Sequence, residues 1–420
     1  MAILIRGAKV IDESSAYHLQ TVDIFIENGV VQSIAHSLNV KADTIIEHPG
    51  MCISMGWTDV FADYREPGFE HKETIASGLA SAAAGGFTTV MIAPNTNPTI
   101  SSKSVVQYIL KQAEANAVSL CPIGSVSHNI EGKNLAEMLD MQANGAIAFS
   151  DGWKPIQNAS LLLKALEYVK SFEGTLIQIP MDANLSAGGL MHEGVESTQL
   201  GMPGIPAIAE TLQVHRDIEL LRYTNSRLHI TGIAAAESVE LIRRAKANGL
   251  KITCSVTPYH LSLNDEVLRS YDAVYKVMPP IRSEKDRLAL IEGLKDGTID
   301  CIASHHRPQE WDAKAKEFEY ASDGMNVQEL SFVIAHNATN ETLTIEQMIK
   351  ALANNANTIF GLKKQAVQEG ACADFTLFTT TESTQINEMK SRVRNNPFLG
   401  KSLLGKVLGI VKCDTIVMNS

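Results

Sequence analysis

The feature that most constrains the fold is a regular alternation of apolar segments and amphipathic segments through the middle of the chain. Eight short apolar segments predict strands, over residues 52–60, 88–93, 119–124, 147–149, 175–179, 227–233, 251–257 and 300–304. Between them, apolar residues recur at i, i+3 and i+4, which predicts helices such as 73–84, 102–115, 205–223 and 236–248. Strands that are apolar almost throughout are typical of a parallel sheet covered by helices. The pattern predicts an α/β fold, a (β/α)8 TIM barrel over residues 53–365, with functional side chains after the strands.

Both ends of the chain predict β-structure rather than further barrel repeats. Asn28-Gly29 lies between two alternating runs, which is typical of a tight hairpin because both turn residues adopt positive φ. Further strand-like runs cover residues 374–378, 405–411 and 414–418. We therefore expect a small β-sandwich domain that residues 1–52 and 366–420 form together.

Charge and composition exclude several classes of protein. The chain has 36 Lys and Arg against 47 Asp and Glu, a net charge of −11, which excludes nucleic acid and anionic membranes as expected partners. No apolar run reaches ~18 residues, and the N-terminus meets charge too early for a signal peptide, so a cytoplasmic location is expected. The six cysteines are scattered without a CxxC pair, which predicts reduced thiols and no cysteine zinc site.

Several segments, in order along the chain, resemble the dihydroorotases of the amidohydrolase superfamily. They are REPGFEHKETI (65–75), AAAGGFTTV (82–90), APNTNP (93–98), MHEG (191–194), PPIRSEKDR (279–287), EGLKDGTID (292–300) and EGACADFTLF (369–378). The resemblance runs nearly end to end and implies a metal-bearing (β/α)8 barrel with a small β-sandwich from both termini. It also implies the family reaction, which is the reversible closure of carbamoyl-aspartate to dihydroorotate in pyrimidine biosynthesis.

The chain departs from this family where the metal ligands are expected. Phe61 and Asp63 replace the His-x-His pair after the first barrel strand, and Ile179 and Gly232 replace the histidines of the fifth and sixth strands. His305 stands where the family has an aspartate that is both metal ligand and general base. Phenylalanine, isoleucine and glycine offer no side-chain lone pair, and catalytic zinc takes about three protein ligands. The pattern indicates loss of the metal site, and no cofactor is expected.

A few side chains with metal-binding or acid–base chemistry remain in this region. They are Asp63, Asp151, His305 and His306. His305 titrates near pH ~6.5 when free, but it would have no activated water from which to take a proton, so no catalytic residue is assigned. If these residues formed a new site, the chain would be an active, zinc-dependent dihydroorotase or a related cyclic-amide hydrolase.

The residues that the resemblance assigns to substrate binding survive in part. Arg65 and Asn95 would bind the substrate carboxylate, and His306 would help to close that site. Arginine suits a carboxylate because its planar fork donates two hydrogen bonds. Arg65 could instead pair with a nearby acid, and Asn95 could serve only the backbone of its turn. Met278 replaces a further substrate-binding asparagine, which weakens the case for tight dihydroorotate binding.

Three functions therefore remain open. The favoured one is a dihydroorotase-like protein of pyrimidine biosynthesis that is catalytically inactive and acts as a structural partner of aspartate transcarbamoylase, as inactive homologues in this family do. The second is the active, metal-dependent enzyme with an unusual site. The third is a small-carboxylate binding or regulatory protein that uses the pocket of Arg65. A homodimer is also expected, because dimers are the commonest closed assembly.

Overall fold

The computed structural model describes residues 1–419, which form a closed barrel and a second sheet built from both ends of the chain. The strands are β1 (Ala2–Val10), β2 (Thr21–Glu27), β3 (Val30–Ala35), β4 (Thr44–Glu47), β5 (Cys52–Met55), β6 (Trp57–Ala62), β7 (Phe87–Ile92), β8 (Ser119–Gly124), β9 (Ala148–Phe149), β10 (Leu176–Gln178), β11 (Met191–His192), β12 (Gly204–Ile205), β13 (Leu228–Thr231), β14 (Ile252–Val256), β15 (Cys301–Ile302), β16 (Asp374–Gln385), β17 (Ser402–Lys412) and β18 (Thr415–Met418).

The helices cover the outside of the barrel and fill its connections. The α-helices are α1 (Ile75–Ala84), α2 (Lys103–Ala113), α3 (Met138–Ala143), α4 (Ala159–Lys170), α5 (Val195–Leu200), α6 (Ile208–Thr224), α7 (Ala236–Ala247), α8 (Pro258–Ser262), α9 (Glu284–Lys295), α10 (Trp311–Lys314), α11 (Ser331–Thr339), α12 (Ile345–Ile349) and α13 (Asn355–Phe360). A π-helical turn, Lys350–Asn354, joins α12 to α13. Within residues 1–419, no helix combines the length and the apolar character that a membrane crossing needs.

The barrel is confirmed, with its parallel strands in the order β6-β7-β8-β9-β10-β13-β14-β15. The backbone N–H of His305 donates to the Phe61 carbonyl at 3.0 Å, and that of Asp63 donates to the His306 carbonyl at 2.8 Å. These bonds close the ring between β6 and the segment after β15. The carboxylate of buried Asp59 adds a second link, because it accepts from the Ser304 N–H at 2.9 Å.

The β-structure predicted at both ends of the chain is confirmed, and it forms one mixed sheet in the order β18-β17-β16-β5-β1-β2-β3, with β4 beside β1. The hairpin between β2 and β3 turns at Asn28 and Gly29, with φ of +54° and +75°. This sheet is fixed to the barrel by an aromatic cluster. The ring of Trp57, at the start of β6, lies 4.9 Å from that of Phe332 and 5.4 Å from that of Phe378.

Candidate functional site

Three rings pack together where β6 and β15 end, at the carboxyl-terminal end of the barrel. The centroid of the Phe61 ring lies 4.9 Å from that of His305 and 5.4 Å from that of Trp153. Trp153 and His305 are 5.4 Å apart and perpendicular. Phe61 and His305 are fully buried. The position at which the family has its first histidine ligand is therefore part of an aromatic core.

The side chain of His305 is held from inside the barrel. Its Nε2 lies 2.8 Å from Oγ1 of Thr231, which lies 2.8 Å from Oγ of Ser255, and that hydroxyl lies 3.1 Å from Nε2 of His229. Within residues 1–419, Nδ1 of His305 has no hydrogen-bond partner. Burial, reinforced by neighbouring histidines and an arginine, holds the pKa of His305 well below its ordinary value. Burial therefore favours the neutral form of this imidazole.

Gly232 and Ile179, at the positions of two further family ligands, take part in the same packing. Gly232 has a φ of +75°, and a Cβ atom there would lie 2.3 Å from Cε1 of His305. The ring of His305 thus occupies the space that a side chain at 232 would need. Ile179 belongs to the apolar cluster that also contains Phe61 and Ala303.

Asp63 and Arg65 pair with each other rather than facing an open site. Oδ2 of the fully buried Asp63 accepts a hydrogen bond from the indole N–H of Trp153 at 2.7 Å and lies 3.2 Å from Nε of Arg65. The guanidinium of Arg65 also lies 5.9 Å from the ring centroid of Phe69. Arg65 thus lies in an ion pair with Asp63, and its role in substrate binding stays a prediction.

Asn95 and Asp151 both serve the backbone of neighbouring loops. The Asn95 amide donates to the Asp151 carbonyl at 3.3 Å and accepts from the Trp153 N–H at 3.1 Å. The Asp151 carboxylate accepts from the N–H groups of Val126 at 3.0 Å and Ser127 at 2.8 Å, and from the Ser127 hydroxyl. Burial raises the pKa of the Asp151 carboxyl, and the Ser127 hydrogen bonds oppose that rise. Asp151 is thus directed at the loop after β8.

His306 contacts an acid that the sequence analysis did not single out. Its Nε2 lies 3.2 Å from Oε2 of the buried Glu73, and the Glu73 carboxylate also accepts from the hydroxyls of Ser77 and Ser391. Burial tends to raise the pKa of Glu73, but the interaction with His306 and the hydrogen bonds from Ser391 and Ser77 together outweigh it, so the pKa is lowered. His306 therefore joins the loop after β15 to the start of α1 and to the C-terminal segment.

Arg307 and Trp153 are the residues of the barrel mouth that the sequence analysis missed. The guanidinium carbon of Arg307 lies 4.3 Å from the Trp153 ring centroid. A cavity of about 520 Å³ lies beside them. The available signal was an arginine directly after His305-His306, in a loop that follows a barrel strand. The side chains around the cavity include Ile130, Trp153, Lys154, Pro155, Ile179, Met181, Met278, Arg307 and Asp323.

Comparison with known proteins decides the family. A dihydro-orotase-like family model matches residues 50–238. The chain is 40% identical to the dihydroorotase of Syntrophus aciditrophicus over 414 residues, which are 97% of each chain. It is 38% identical to the dihydroorotase of Acetivibrio thermocellus over 410 residues, 96% of each chain. This chain belongs to the dihydroorotase family.

Solved structures of lower sequence identity agree on the fold. The L-hydantoinase of Arthrobacter aurescens superposes with a TM-score of 0.88 at 21% identity, covering 99% of this chain and 96% of that one. A D-hydantoinase superposes with a TM-score of 0.85 at 18% identity, covering 100% and 95% of the two chains. These two likenesses support the amidohydrolase barrel alone, since both identities are low.

Family membership corrects the expectation about cofactors. The expectation that no cofactor is needed is wrong for a member of this family, because dihydroorotases and hydantoinases are metal-dependent enzymes. The residues of this chain nevertheless do not fit the family's metal site. Within residues 1–419, no three His, Cys, Asp or Glu side chains converge on one point. Among the candidates, Asp63 is bound by Trp153, Asp151 by the loop after β8 and His305 by Thr231.

Proposed function

We propose that this chain is a dihydroorotase homologue of pyrimidine biosynthesis that does not catalyse the family reaction and acts as a structural partner of aspartate transcarbamoylase. The observation that carries the first half is the packed cluster of Phe61, Trp153 and His305 at the strand ends. In the family this region holds the reacting groups of the substrate. Here it is filled by rings that pack on one another.

The state of His305 supports the absence of turnover. Opening or closing a cyclic amide requires a base within hydrogen-bond reach of the proton that it takes. Nε2 of His305 already lies 2.8 Å from the Thr231 hydroxyl, and the side chain is fully buried beneath Phe61 and Trp153. The low pKa of the ring also makes it a weak proton acceptor at neutral pH.

The partner half of the proposal rests on the family and on one feature of the surface. Inactive homologues in this family act as structural partners of aspartate transcarbamoylase. In the segment after the loop of β15, the aromatic side chains of Trp311 and Tyr320 are 79% and 67% exposed. Protein interfaces are enriched in aromatic residues, so this segment is the contact that we assign to the partner. A homodimer is part of the same proposal.

The activity test is a pair of assays on the purified chain with zinc supplied. One follows hydrolysis of dihydroorotate and the other follows closure of carbamoyl-aspartate, with the Syntrophus aciditrophicus dihydroorotase measured in parallel. We expect turnover by that enzyme and none above the blank by this chain. Turnover above the blank by this chain would reject the inactive reading in favour of an active, metal-dependent enzyme with an unusual site.

The partner test is co-elution with aspartate transcarbamoylase of the same organism at micromolar concentration. A stable complex should bury more than ~1,000 Å² in total. The double variant Trp311→Ala, Tyr320→Ala should lose co-elution while keeping its melting temperature, because both side chains are exposed. Separate elution, together with a fully assembled and active transcarbamoylase in the absence of this chain, would reject the structural role.

A further inference from the structure

Near its C-terminus the chain contains a stretch that is basic, although the protein as a whole is acidic. Between Met389 and Lys412 there is no Asp or Glu, and six Lys and Arg are present. The chain has 36 Lys and Arg against 47 Asp and Glu in total, so the rest of it carries 30 against 47. The stretch therefore creates a local positive field on a protein of opposite net charge.

The first part of this stretch, residues 389–396, is fixed to the barrel through its backbone, and we call it the basic segment. The carboxylate of buried Glu329 accepts from two successive backbone N–H groups, those of Lys390 at 2.8 Å and Ser391 at 3.0 Å. The carboxylate of buried Glu73 accepts from the Ser391 hydroxyl and, at 3.3 Å, from the next backbone N–H. Two interior acids thus hold the basic segment from beneath.

The far end of the basic segment is bound to the loop after β15. The side-chain amide of Asn395 donates to the Gly324 carbonyl at 3.1 Å and accepts from the Gln309 N–H at 3.2 Å. Gln309 lies two residues before Trp311, which is 79% exposed. The basic segment therefore adjoins a surface that already presents an exposed aromatic side chain, and arginine and tryptophan are enriched together in protein interfaces.

Three basic side chains of the segment are exposed and have no acidic partner. Lys390, Arg392 and Arg394 are exposed, while the residues between them are buried or half-buried. Among residues 1–419, none of the three has a carboxylate within 4.0 Å. Glu73 and Glu329 accept from the backbone of the segment rather than from these side chains. Like charges at alternate outward positions repel one another, and a bound anionic partner relieves that repulsion.

We propose that the basic segment is a docking surface for a short acidic segment of another protein. Carboxylates of that partner pair with Lys390, Arg392 and Arg394, and each arginine can donate two parallel hydrogen bonds to one carboxylate. A nucleic acid or an anionic membrane fits less well, because either would extend past three charges onto the acidic remainder of the surface. The inference requires no turnover and does not require that the partner be aspartate transcarbamoylase, so it stands independently of the proposed function.

The experiment measures binding of a fluorescein-labelled oligoglutamate peptide to the full chain by fluorescence anisotropy. We expect saturable binding at an ionic strength of about 0.02 M, and binding weaker by about 10-fold at about 0.2 M, because salt screens exposed charges. An oligoglutamine peptide of the same length, with the same label, is the uncharged counterpart. It should bind about 10-fold more weakly than oligoglutamate at the lower ionic strength.

A triple variant and a matched control locate the binding surface. Lys390→Gln, Arg392→Gln, Arg394→Gln should weaken oligoglutamate binding by about 10-fold, since three exposed ion pairs are lost and each is individually weak. The charge-retaining variant Arg392→Lys, Arg394→Lys should stay within about 2-fold of the parent. The control removes the same number of charges from exposed lysines elsewhere and should leave oligoglutamate binding unchanged; it is Lys41→Gln, Lys111→Gln, Lys251→Gln.

Two further measurements separate docking from a structural role and from other partners. The melting temperatures of both triple variants should equal that of the parent, because the substituted side chains are exposed. A single-stranded oligonucleotide of the same length should bind more weakly than oligoglutamate. The proposal would be overturned by the absence of saturable oligoglutamate binding, by equal binding of oligoglutamine, by an equal loss in the control, by a destabilised Lys390→Gln, Arg392→Gln, Arg394→Gln variant, or by tighter binding of the oligonucleotide. Self-association of the chain that this variant abolishes would also overturn it, in favour of a second copy.

Discussion

Replacing Gly232 with alanine should destabilise the barrel chiefly through the ring of His305. A Cβ atom at position 232 would lie 2.3 Å from Cε1 of His305 and 3.1 Å from both ring nitrogens. Its φ of +75° adds backbone strain, which costs about 1–2 kcal/mol for a residue with a Cβ atom. Overpacking of a core costs about 1–3 kcal/mol. We therefore expect Gly232→Ala to lower the free energy of unfolding by about 2–5 kcal/mol.

The measurement is a double-mutant cycle of Gly232→Ala and His305→Ala, followed by urea unfolding. Without the ring, only the backbone strain remains, so Gly232→Ala should cost about 1–2 kcal/mol in the His305→Ala background. The cycle should then give a coupling energy of about 1–3 kcal/mol. An equal cost in the two backgrounds would refute the reasoning that position 232 lacks a side chain because the ring of His305 lies there.

Three other perturbations test separate parts of the structure. The double variant Phe61→His, Asp63→His should show no dihydroorotase turnover, because the fifth and sixth barrel strands would still lack their histidines and catalytic groups act as a unit. Steady-state turnover above that of the parent would count against this. Burial lowers the pKa of His229 to about 3, below the unfolded value of ~6.5, so its neutral ring stabilises the fold above pH ~6.5 and that stabilisation is lost as the pH falls towards 3. When the pH is lowered from about 7.5 to about 5, the free energy of unfolding measured in urea should fall by about 2 kcal/mol more in the parent than in His229→Gln. Equal decreases in the two proteins would contradict the assignment. The sulfurs of the exposed Cys372 and Cys413 lie 3.1 Å apart, so a mild oxidant should join them in a disulfide. The readout is the loss of both free thiols and a decrease of the chain mass by about two units. Persistence of the two thiols would contradict this.

The fold was largely readable from the sequence because each of its elements is encoded locally. The apolar runs predicted at 119–124 and 88–93 match β8 and β7 closely, since a strand covered by helices is apolar along its whole length. The Asn28-Gly29 turn was predictable for the same reason, because its geometry depends on two adjacent residues. The helix predicted over 236–248 likewise matches α7.

The contacts of the site were not readable, because they join residues that are distant in the chain. Asp63 and Trp153 are 90 residues apart, and no pattern in either segment indicates that the carboxylate accepts from the indole. The motif positions showed which family ligands were replaced, but not that the replacements pack against each other. Arg307 was missed for the same reason, since its contact with the ring of Trp153 joins two loops that are far apart in the chain.

The residues that stand at the family's ligand positions pack against one another at the barrel mouth, as the residues of a protein core do. Loss of ligand side chains alone would leave cavities, and the destabilisation grows by about 24 cal/mol for each Å³ of cavity. Here the mouth contains two aromatic rings and an imidazole, the glycine at 232 accommodates that imidazole, and the indole of Trp153 binds Asp63. This packing joins positions that are distant in the chain and stabilises the fold. Under the proposal that the chain does not catalyse the family reaction, a role that depends on the folded surface would account for a stable barrel.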